Sequence, residues 1–402
     1  MTMLPVLEAE TPTAQSTPEA LLPVYKRFPV EVARGEGTRL FDAEGRSYLD
    51  FTSGIGVNAL GYGDEGIAAA AMGALECGVL HTSNLFHTAP ARALAESLVA
   101  RSFASSVFFC NSGAEANEGA FKFVRRWARE VGGAAKHEIV ALRGGFHGRL
   151  FATLAATDRP QYRAPFRPLA GGILIAERDL RELARVLDSD TVAAVIVEPV
   201  QGEGGVRVID SSFLTALRVL TRERGIALIF DEVQCGLGRT GWLFAYERAD
   251  VVPDVVTLAK PLAGGLPMGA ILVNAEIARA VQPGDHGTTF GGGPFVATVA
   301  KHVFDRLSDA SLLSRVRENG EWLGEALRAM SLRHEGIRSV RGVGYLWGMD
   351  VTRPAGEIVA RAREEGLLLL TAGDYTLRLL PPLIATRDEL AQGVALLERA
   401  LA

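Results

Sequence analysis

Residues 193–231 read AAVIVEPVQGEGGVRVIDSSFLTALRVLTRERGIALIFD, and this stretch decides the fold. It opens with the apolar run 193–197 and closes with a second run, 226–230, a pattern typical of strands buried on both faces of a sheet. Between these runs, apolar residues recur at helical spacing over 213–220, and Gly225 follows as a helix terminator. The stretch predicts a β-α-β unit, and with it a mainly parallel sheet in an α/β protein.

Composition limits the possible functions. The chain has 402 residues, 48% hydrophobic and 22% charged, which suffices for a large core and more than one domain. A net charge of -5 disfavours a nucleic-acid surface, because phosphate contacts need clustered Lys and Arg. No apolar run approaches the roughly 18 residues of a membrane span, so we predict no membrane insertion and a cytoplasmic location. Three scattered cysteines indicate reduced thiols, and seven histidines without an HExxH pairing predict no catalytic metal.

The two ends of the chain differ from its middle. Residues 1–22 are rich in Thr, Pro and Glu with little periodicity, which predicts a mobile tail. Glycine-punctuated alternating segments over 35–50 predict hairpin strands. Beyond residue 295 the pattern predicts a long helical stretch, then strands at 342–351 and 376–380, and a last helix at 387–401.

Two ionisable residues stand at the ends of predicted strands. Asp231 follows the run 226–230, and Lys260 ends an apolar pattern that begins at Pro253. Open α/β sheets bind their ligands at the carboxyl ends of strands. A lysine there is desolvated, which lowers its pKa and leaves a neutral amine. Considered alone, Lys260 would more often be a solvated loop residue.

The neighbouring motifs fit an aldehyde cofactor with a pyridine ring and a phosphate. Such a cofactor needs a lysine for a Schiff base, a carboxylate for the ring nitrogen, an aromatic face and an anion site. Residues 111–117 open a helix, and small residues at a helix start expose N–H groups to a phosphate. Phe146 follows another apolar run and could cover the ring. Considered separately, Ser112 could be an ordinary helix cap and Phe146 a core residue.

These motifs resemble a known family, the class III aminotransferases. Six segments occur in the family's order: SGAEANE (112–118), FHGR (146–149), EPVQGEGG (198–205), DEVQ (231–234), Lys260 and GTTFGG (287–292). The resemblance runs from about Arg34 to the C-terminus, and within the class it is to the acetylornithine aminotransferases. It implies a pyridoxal 5'-phosphate enzyme of arginine biosynthesis that moves an amino group from N2-acetyl-L-ornithine to 2-oxoglutarate.

The resemblance assigns roles around the cofactor. Lys260 would form the Schiff base and then shuttle a proton, while Asp231 would keep the ring nitrogen protonated. Val233 and Phe146 would cover the two ring faces, and Gln234 would approach the ring hydroxyl. The remaining cofactor-binding positions are Ser112, Gly113 and Ala114 around the phosphate, Glu232 beside Asp231, and Thr289.

The resemblance also implies two carboxylate receptors. Arg149 would bind one substrate carboxylate as a bidentate fork, and Arg378 would bind the second. In the family, the glutamate matching Glu203 pairs with that second arginine while the ω-amino donor is bound and swings away for glutamate. Such a gate is needed because one fixed charge pattern cannot suit both substrates. Thr288 belongs to the same substrate-binding set.

The resemblance further implies a homodimer and a division into domains. In the family, the threonine matching Thr289 reaches the phosphate of the neighbouring subunit, so the site would need two chains. We expect fold type I, with an N-terminal arm and part of a small α+β domain at 1–55, a large cofactor domain at 56–295, and the rest of the small domain at 296–402.

Several alternatives remain open. The motifs do not describe the acyl pocket, so ornithine, succinylornithine, a carrier-protein-linked lysine precursor or 4-aminobutyrate could be the amino donor. Residues 61–65 and Gly293 depart from the family's usual Gly-His-x-His-Pro run and asparagine. A cofactor-retaining regulatory protein is the non-enzyme alternative. The GxGxxG string at 61–66 does not indicate a dinucleotide site, because no acidic residue follows about 20 positions later.

Overall fold

The structure is a computed structural model, and it describes residues 20–402. Its strands are β1 Val32–Glu36, β2 Arg39–Asp42, β3 Ser47–Asp50, β4 Ser106–Cys110, β5 Glu138–Leu142, β6 Ile173–Ala176, β7 Val192–Val197, β8 Val200–Gln201, β9 Arg207–Val208, β10 Ala227–Asp231, β11 Val255–Leu258, β12 Gly269–Val273, β13 Ile337–Val343, β14 Leu346–Val351, β15 Leu367–Leu368, β16 Leu370–Thr371 and β17 Thr376–Leu379. The tail predicted for residues 1–22 lies outside the described residues, apart from its last three positions.

Helices alternate with these strands through the middle of the chain. They are α1 Ser53–Gly56, α2 Glu65–Glu76, α3 Ala89–Ala100, α4 Gly113–Gly132, α5 Phe151–Ala156, α6 Pro160–Arg163, α7 Leu180–Val186, α8 Ser211–Glu223, α9 Ala245–Ala249, α10 Ala275–Ala280, α11 Pro294–Leu307, α12 Ala310–Arg333, α13 Ala355–Glu364 and α14 Arg387–Leu401, with 3₁₀ turns at Ala164–Phe166 and Lys260–Ala263. Within residues 20–402, no helix is long and apolar enough to cross a membrane.

A seven-stranded sheet forms the centre of the molecule, in the order β4-β12-β11-β10-β7-β5-β6. β10 pairs in parallel with β7 and β11, and β5 pairs in parallel with β7 and β6. β12 alone runs antiparallel to its neighbours β11 and β4. β7, β10, β11 and β12 are buried along their whole length, as their continuous apolar runs predict. The predicted mainly parallel α/β sheet is confirmed.

The β-α-β unit that decides the fold is formed by β7, α8 and β10. Leu214 and Leu217 on α8 are buried against the sheet, and β10 registers with β7 through Leu228 opposite Val195. Gly225 ends the connection at φ +59°, a left-handed conformation that costs glycine nothing. The unit brings the ends of β7 and β10 side by side, which places Glu198 close to Asp231.

Both ends of the chain contribute to a smaller sheet. β1, β2 and β3 form an antiparallel meander, and β15 adds to β3 in parallel, with Leu367 opposite Leu49. A second small sheet has the order β13-β14-β17-β16. The domain limits at residues 55 and 295 remain predictions.

The C-terminal third corrects two sequence predictions. The single strand predicted at 342–351 is the end of β13, a turn at Gly344 and all of β14. Gly344 adopts φ +55°, which allows the reversal between two apolar segments. The long helical stretch is two helices, because Asp309 caps α12 by accepting from the N–H groups of Ser311 and Leu312. The last helix matches its predicted range, 387–401.

Candidate active site

A cavity of about 400 Å³ opens at the carboxyl ends of the parallel strands. Its wall includes residues that end or follow β4, β7, β10 and β11, so four strands of the central sheet contribute to it. The sequence-predicted site residues that line it are Ser112, Gly113, Ala114, Phe146, Arg149, Glu203, Asp231, Val233, Gln234 and Lys260. The structure therefore brings most of the predicted site together in one place.

Asp231 is a buried carboxylate with fixed hydrogen-bond donors. It ends β10 and is 3% exposed. Its Oδ2 accepts from Asn117 Nδ2 at 2.8 Å and lies 2.8 Å from His147 Nδ1, while its Oδ1 accepts from the Val233 N–H at 3.1 Å. Thr257 Oγ1 in turn donates to Asn117 Oδ1 at 2.7 Å, which fixes the orientation of that amide. This network holds Asp231 at the cavity wall.

Lys260 follows β11 and begins a 3₁₀ turn. Burial lowers the pKa of its amine from the usual value, and the positive charge of Arg378 acts in the same direction, whereas Asp231 opposes both. Its backbone φ of +33° is uncommon for a residue with a side chain, and strained conformations of this kind concentrate at functional sites. Lys260 thus offers an amine that is more readily neutral than that of a solvated lysine.

The start of α4 provides an anion site. Ser112 is its N-cap and accepts from the Glu115 N–H at 3.2 Å, so the capping role considered from sequence is present. The first-turn residues Gly113 and Ala114 line the cavity, where the helix dipole favours a negative group. Gly113 also packs directly against Val233, since a Cβ at position 113 would lie 2.6 Å from Val233 Cγ1. The positions predicted for the phosphate and for the ring therefore adjoin.

Two arginines are available for substrate carboxylates. Arg149 lines the cavity, and its guanidinium lies 3.5 Å from the ring centroid of Tyr162, a stacking that orients the fork. Arg378 is 3% exposed and forms an ion pair with Glu203, Nη1 to Oε1 at 2.7 Å. The same Nη1 donates to Gln234 Oε1 at 3.2 Å. One arginine is thus open to ligands, and the other is covered by a carboxylate.

The sequence matches a known family over nearly its whole length. The family model described as Aminotransferase class-III matches residues 22–401. The chain belongs to the class III aminotransferases. The mitochondrial acetylornithine aminotransferase of Alnus glutinosa is 44% identical to it, over 95% of this chain and 85% of that protein. The acetylornithine aminotransferase of Methanocaldococcus jannaschii is 42% identical, over 92% of each.

Solved structures of aminotransferases share the fold. The ornithine aminotransferase of Toxoplasma gondii has a TM-score of 0.92 at 29% identity, covering 95% of this chain and 92% of that one, and its crystals hold pyridoxal phosphate at partial occupancy. The N-acetylornithine aminotransferase of Stenotrophomonas maltophilia has a TM-score of 0.80 at 37% identity, covering 92% and 95%. The predicted fold type I is confirmed.

The cavity of this class III aminotransferase fits pyridoxal 5'-phosphate, the cofactor of the class. Lys260 supplies an amine of lowered pKa, Asp231 a buried carboxylate, and the start of α4 an anion site. Phe146 and Val233 both line the cavity and offer apolar contacts for a ring. All four requirements of such a cofactor are met within one cavity.

Four predicted site residues do not line this cavity. Arg378 lies directly behind its wall, where it contacts the lining residues Glu203 and Gln234. The carboxylate of Glu232 points away from it and accepts from the N–H groups of Ala245 and Tyr246 at 2.6 and 2.8 Å, so the structure gives it no cofactor contact. Thr288 Oγ1 accepts from Asn111 Nδ2 at 3.1 Å beside the wall. Thr289 is exposed and lines a separate cavity of about 230 Å³.

Sequence reasoning missed three residues that the structure brings to the site. Asn117 and His147 fix Asp231, and Glu198 borders the cavity with 6% exposure. All three stand inside the quoted motifs, where their polar character was the available signal. Within residues 20–402, no group of His, Cys, Asp and Glu side chains is arranged to hold a metal ion.

Proposed function

We propose that this enzyme transfers the δ-amino group of N2-acetyl-L-ornithine to 2-oxoglutarate, giving N-acetyl-L-glutamate 5-semialdehyde and L-glutamate, in arginine biosynthesis. The observation that carries the proposal is the covered arginine, the 2.7 Å pair of Arg378 and Glu203 beside the open Arg149. Sequence identity of 42–44% to proteins named acetylornithine aminotransferase supports the choice of donor.

The charge pattern suits two substrates in turn. Acetylornithine brings its amino group far from its single carboxylate, so Arg149 would bind that carboxylate while Glu203 neutralises Arg378. Glutamate and 2-oxoglutarate bring a second carboxylate close to the reacting carbon. For them Glu203 would move away, and Arg378 would form the charge-assisted hydrogen bonds. Glu203 is partly exposed, with 27% of its side chain accessible, which leaves room for this movement.

The other residues of the site would hold the cofactor and hold or move protons. When bound, pyridoxal phosphate supplies an aldehyde for the substrate amine and a ring that accepts electrons. Asp231 would keep a proton on the ring nitrogen, because a buried carboxylate stabilises a neighbouring cation. Lys260 Nζ would take a proton from the substrate carbon and return it, and its lowered pKa supports that role. Phe146 and Val233 would hold the ring in place between them.

We further propose a homodimer whose site needs both chains. Thr289 is exposed outside the cavity of its own chain, and the neighbouring Phe290, Leu85 and Phe86 are 67%, 90% and 69% exposed. Contiguous apolar surface of this kind typically marks an interface. In the dimer, Thr289 of one protomer would reach the phosphate site of its partner. Cytoplasmic location remains a prediction.

The proposal is tested by a panel of half-reactions. Holoenzyme is mixed with acetylornithine, ornithine, succinylornithine or 4-aminobutyrate, and loss of the bound cofactor's absorbance is followed under single-turnover conditions. Acetylornithine should react with the highest kcat/KM. A faster reaction with free ornithine would overturn the donor, and Lys260→Ala, which should neither react nor be labelled by borohydride, controls for the cofactor attachment.

A further inference from the structure

Glu198 is a buried carboxylate that the chemistry described above does not use. It follows β7, borders the cavity and is 6% exposed. Its two oxygens bind two different loops: Oε1 accepts from the Phe146 N–H at 2.8 Å, and Oε2 accepts from the Gly202 N–H at 3.2 Å. A buried carboxylate with both oxygens on backbone donors fixes the two loops relative to each other.

The first of these loops carries one carboxylate receptor, and the second carries the glutamate that covers the other receptor. Phe146 stands three residues before Arg149, the open carboxylate receptor. Gly202 directly precedes Glu203, which covers Arg378. Arg378 itself lies on β17, so the way the loops are joined sets the position of Arg149 relative to Glu203 and, through the ion pair, relative to Arg378. A second link lies earlier in each segment, where Gln201 Nε2 donates to the Arg143 carbonyl at 2.9 Å.

We propose that Glu198 is a positioning residue, which sets the spacing between Arg149 and the Glu203–Arg378 pair and thereby the length of substrate that the site accepts. The inference rests on the proposed aminotransferase function. Glu198 acts through backbone hydrogen bonds, so a substitution there would change where the receptors lie and leave their charges unchanged. A shift of about 1 Å in such a receptor is enough to weaken binding strongly.

The chemistry of the side chain explains why a glutamate suits this position. An ionised carboxylate only accepts hydrogen bonds, so both oxygens can serve N–H donors at once. Burial raises the pKa of Glu198 to about 7, the charge of Asp231 adds to this, and His147 opposes it. Above that pH the carboxylate is charged and both links are present. An amide at this position retains one accepting oxygen and turns an NH₂ group toward the other N–H.

The test uses Glu198→Gln holoenzyme at pH 8 and an unreactive dicarboxylate. Glutarate needs both receptors but carries no amino group, so its dissociation constant, followed by the change in cofactor absorbance, reports their spacing without turnover. We expect glutarate to bind about tenfold more weakly, because one charge-assisted hydrogen bond is lost. The KM for the reacting donor and that for 2-oxoglutarate should both rise, with kcat within about threefold of the wild type.

Glu232→Gln is a matched control. Glu232 is equally buried, its two oxygens also accept from backbone N–H groups, and its pKa is also raised, but it lies off the cavity. This variant should bind glutarate like the wild type. If Glu198→Gln does not fold, Glu198→Asp keeps the charge and shortens the reach, and it should still weaken glutarate binding.

Two results would overturn the inference. One is an unchanged glutarate dissociation constant in a folded Glu198 variant. The other is a changed pH dependence of the cofactor absorbance with unchanged glutarate binding, which would assign Glu198 an electrostatic role. Because glutarate binding needs no amino donor, failure of acetylornithine in the donor panel leaves this test intact.

Discussion

Removal of the Glu203 carboxylate should shift the preference of the enzyme between its two amino donors toward glutamate. In Glu203→Ala, Arg378 loses its 2.7 Å ion-pair partner and keeps only Gln234 Oε1 at 3.2 Å, while its Nε already has no hydrogen-bond partner. The guanidinium would then be a buried cation lacking a carboxylate. Glutamate supplies that carboxylate, whereas acetylornithine leaves the charge unpaired.

The size of the effect follows from burial. Breaking one side of a fully buried ion pair costs about 3–5 kcal/mol. Arg378 is 3% exposed, but Glu203 is partly exposed, so we take the effective difference as about 2 kcal/mol after solvent screening. At about 1.4 kcal/mol per factor of ten, the ratio of kcat/KM for glutamate to that for acetylornithine should rise roughly 30-fold.

Single-turnover half-reactions measure that ratio directly. Each donor is mixed with holoenzyme, and the decay of cofactor absorbance gives kcat/KM. Glu365→Ala is the control, because it removes a surface ion pair with Arg399, and neither residue lines the cavity. A ratio within threefold of the wild-type value in Glu203→Ala would refute the prediction, since pairing of Arg378 with Glu203 would then have no effect on the choice of donor.

Three further outcomes are expected. Burial raises the pKa of Glu232 to about 8, so its contribution to stability is complete below about pH 4.5 and is lost as the pH rises through 8. Glu232→Gln should therefore flatten the fall in Tm between pH 5 and 8. Equal slopes of Tm against pH by calorimetry would contradict this. Thr289→Val should weaken cofactor binding about tenfold by fluorescence titration without changing the dimer mass, and unchanged affinity would argue against a shared site. Arg149→Lys keeps the charge but loses the fork, so KM for acetylornithine should rise about tenfold in steady-state assays, and an unaltered KM would exclude bidentate binding.

Much of the fold could be predicted from local pattern. The run 193–197 and the helix before Gly225 are unambiguous because each is long and bounded by a clear terminator. The turn at Gly344 was missed because apolar residues flank it on both sides, so no polar break separates β13 from β14.

The motifs predicted which stretches of the chain form the site, but they did not predict which side chains in those stretches face the cavity or which distant residues meet. Asp231 and Val233 line the cavity, but Glu232 between them points the opposite way, as side chains do when they alternate along an extended segment. The contact of His147 with Asp231 joins residues 84 positions apart, and local spacing does not encode such a pairing. The role proposed for Thr289 needs a second chain, which a single sequence does not display.

The contact of Gly113 with Val233 constrains any redesign of the enzyme. The helix turn that would receive the phosphate and the side chain that would support the ring are in direct contact, and a methyl group at position 113 would come within 2.6 Å of Val233 Cγ1. Enlarging either residue would push the other into the space that pyridoxal phosphate would occupy. Variants made to admit bulkier amines would therefore have to leave this contact intact and change other residues of the cavity wall.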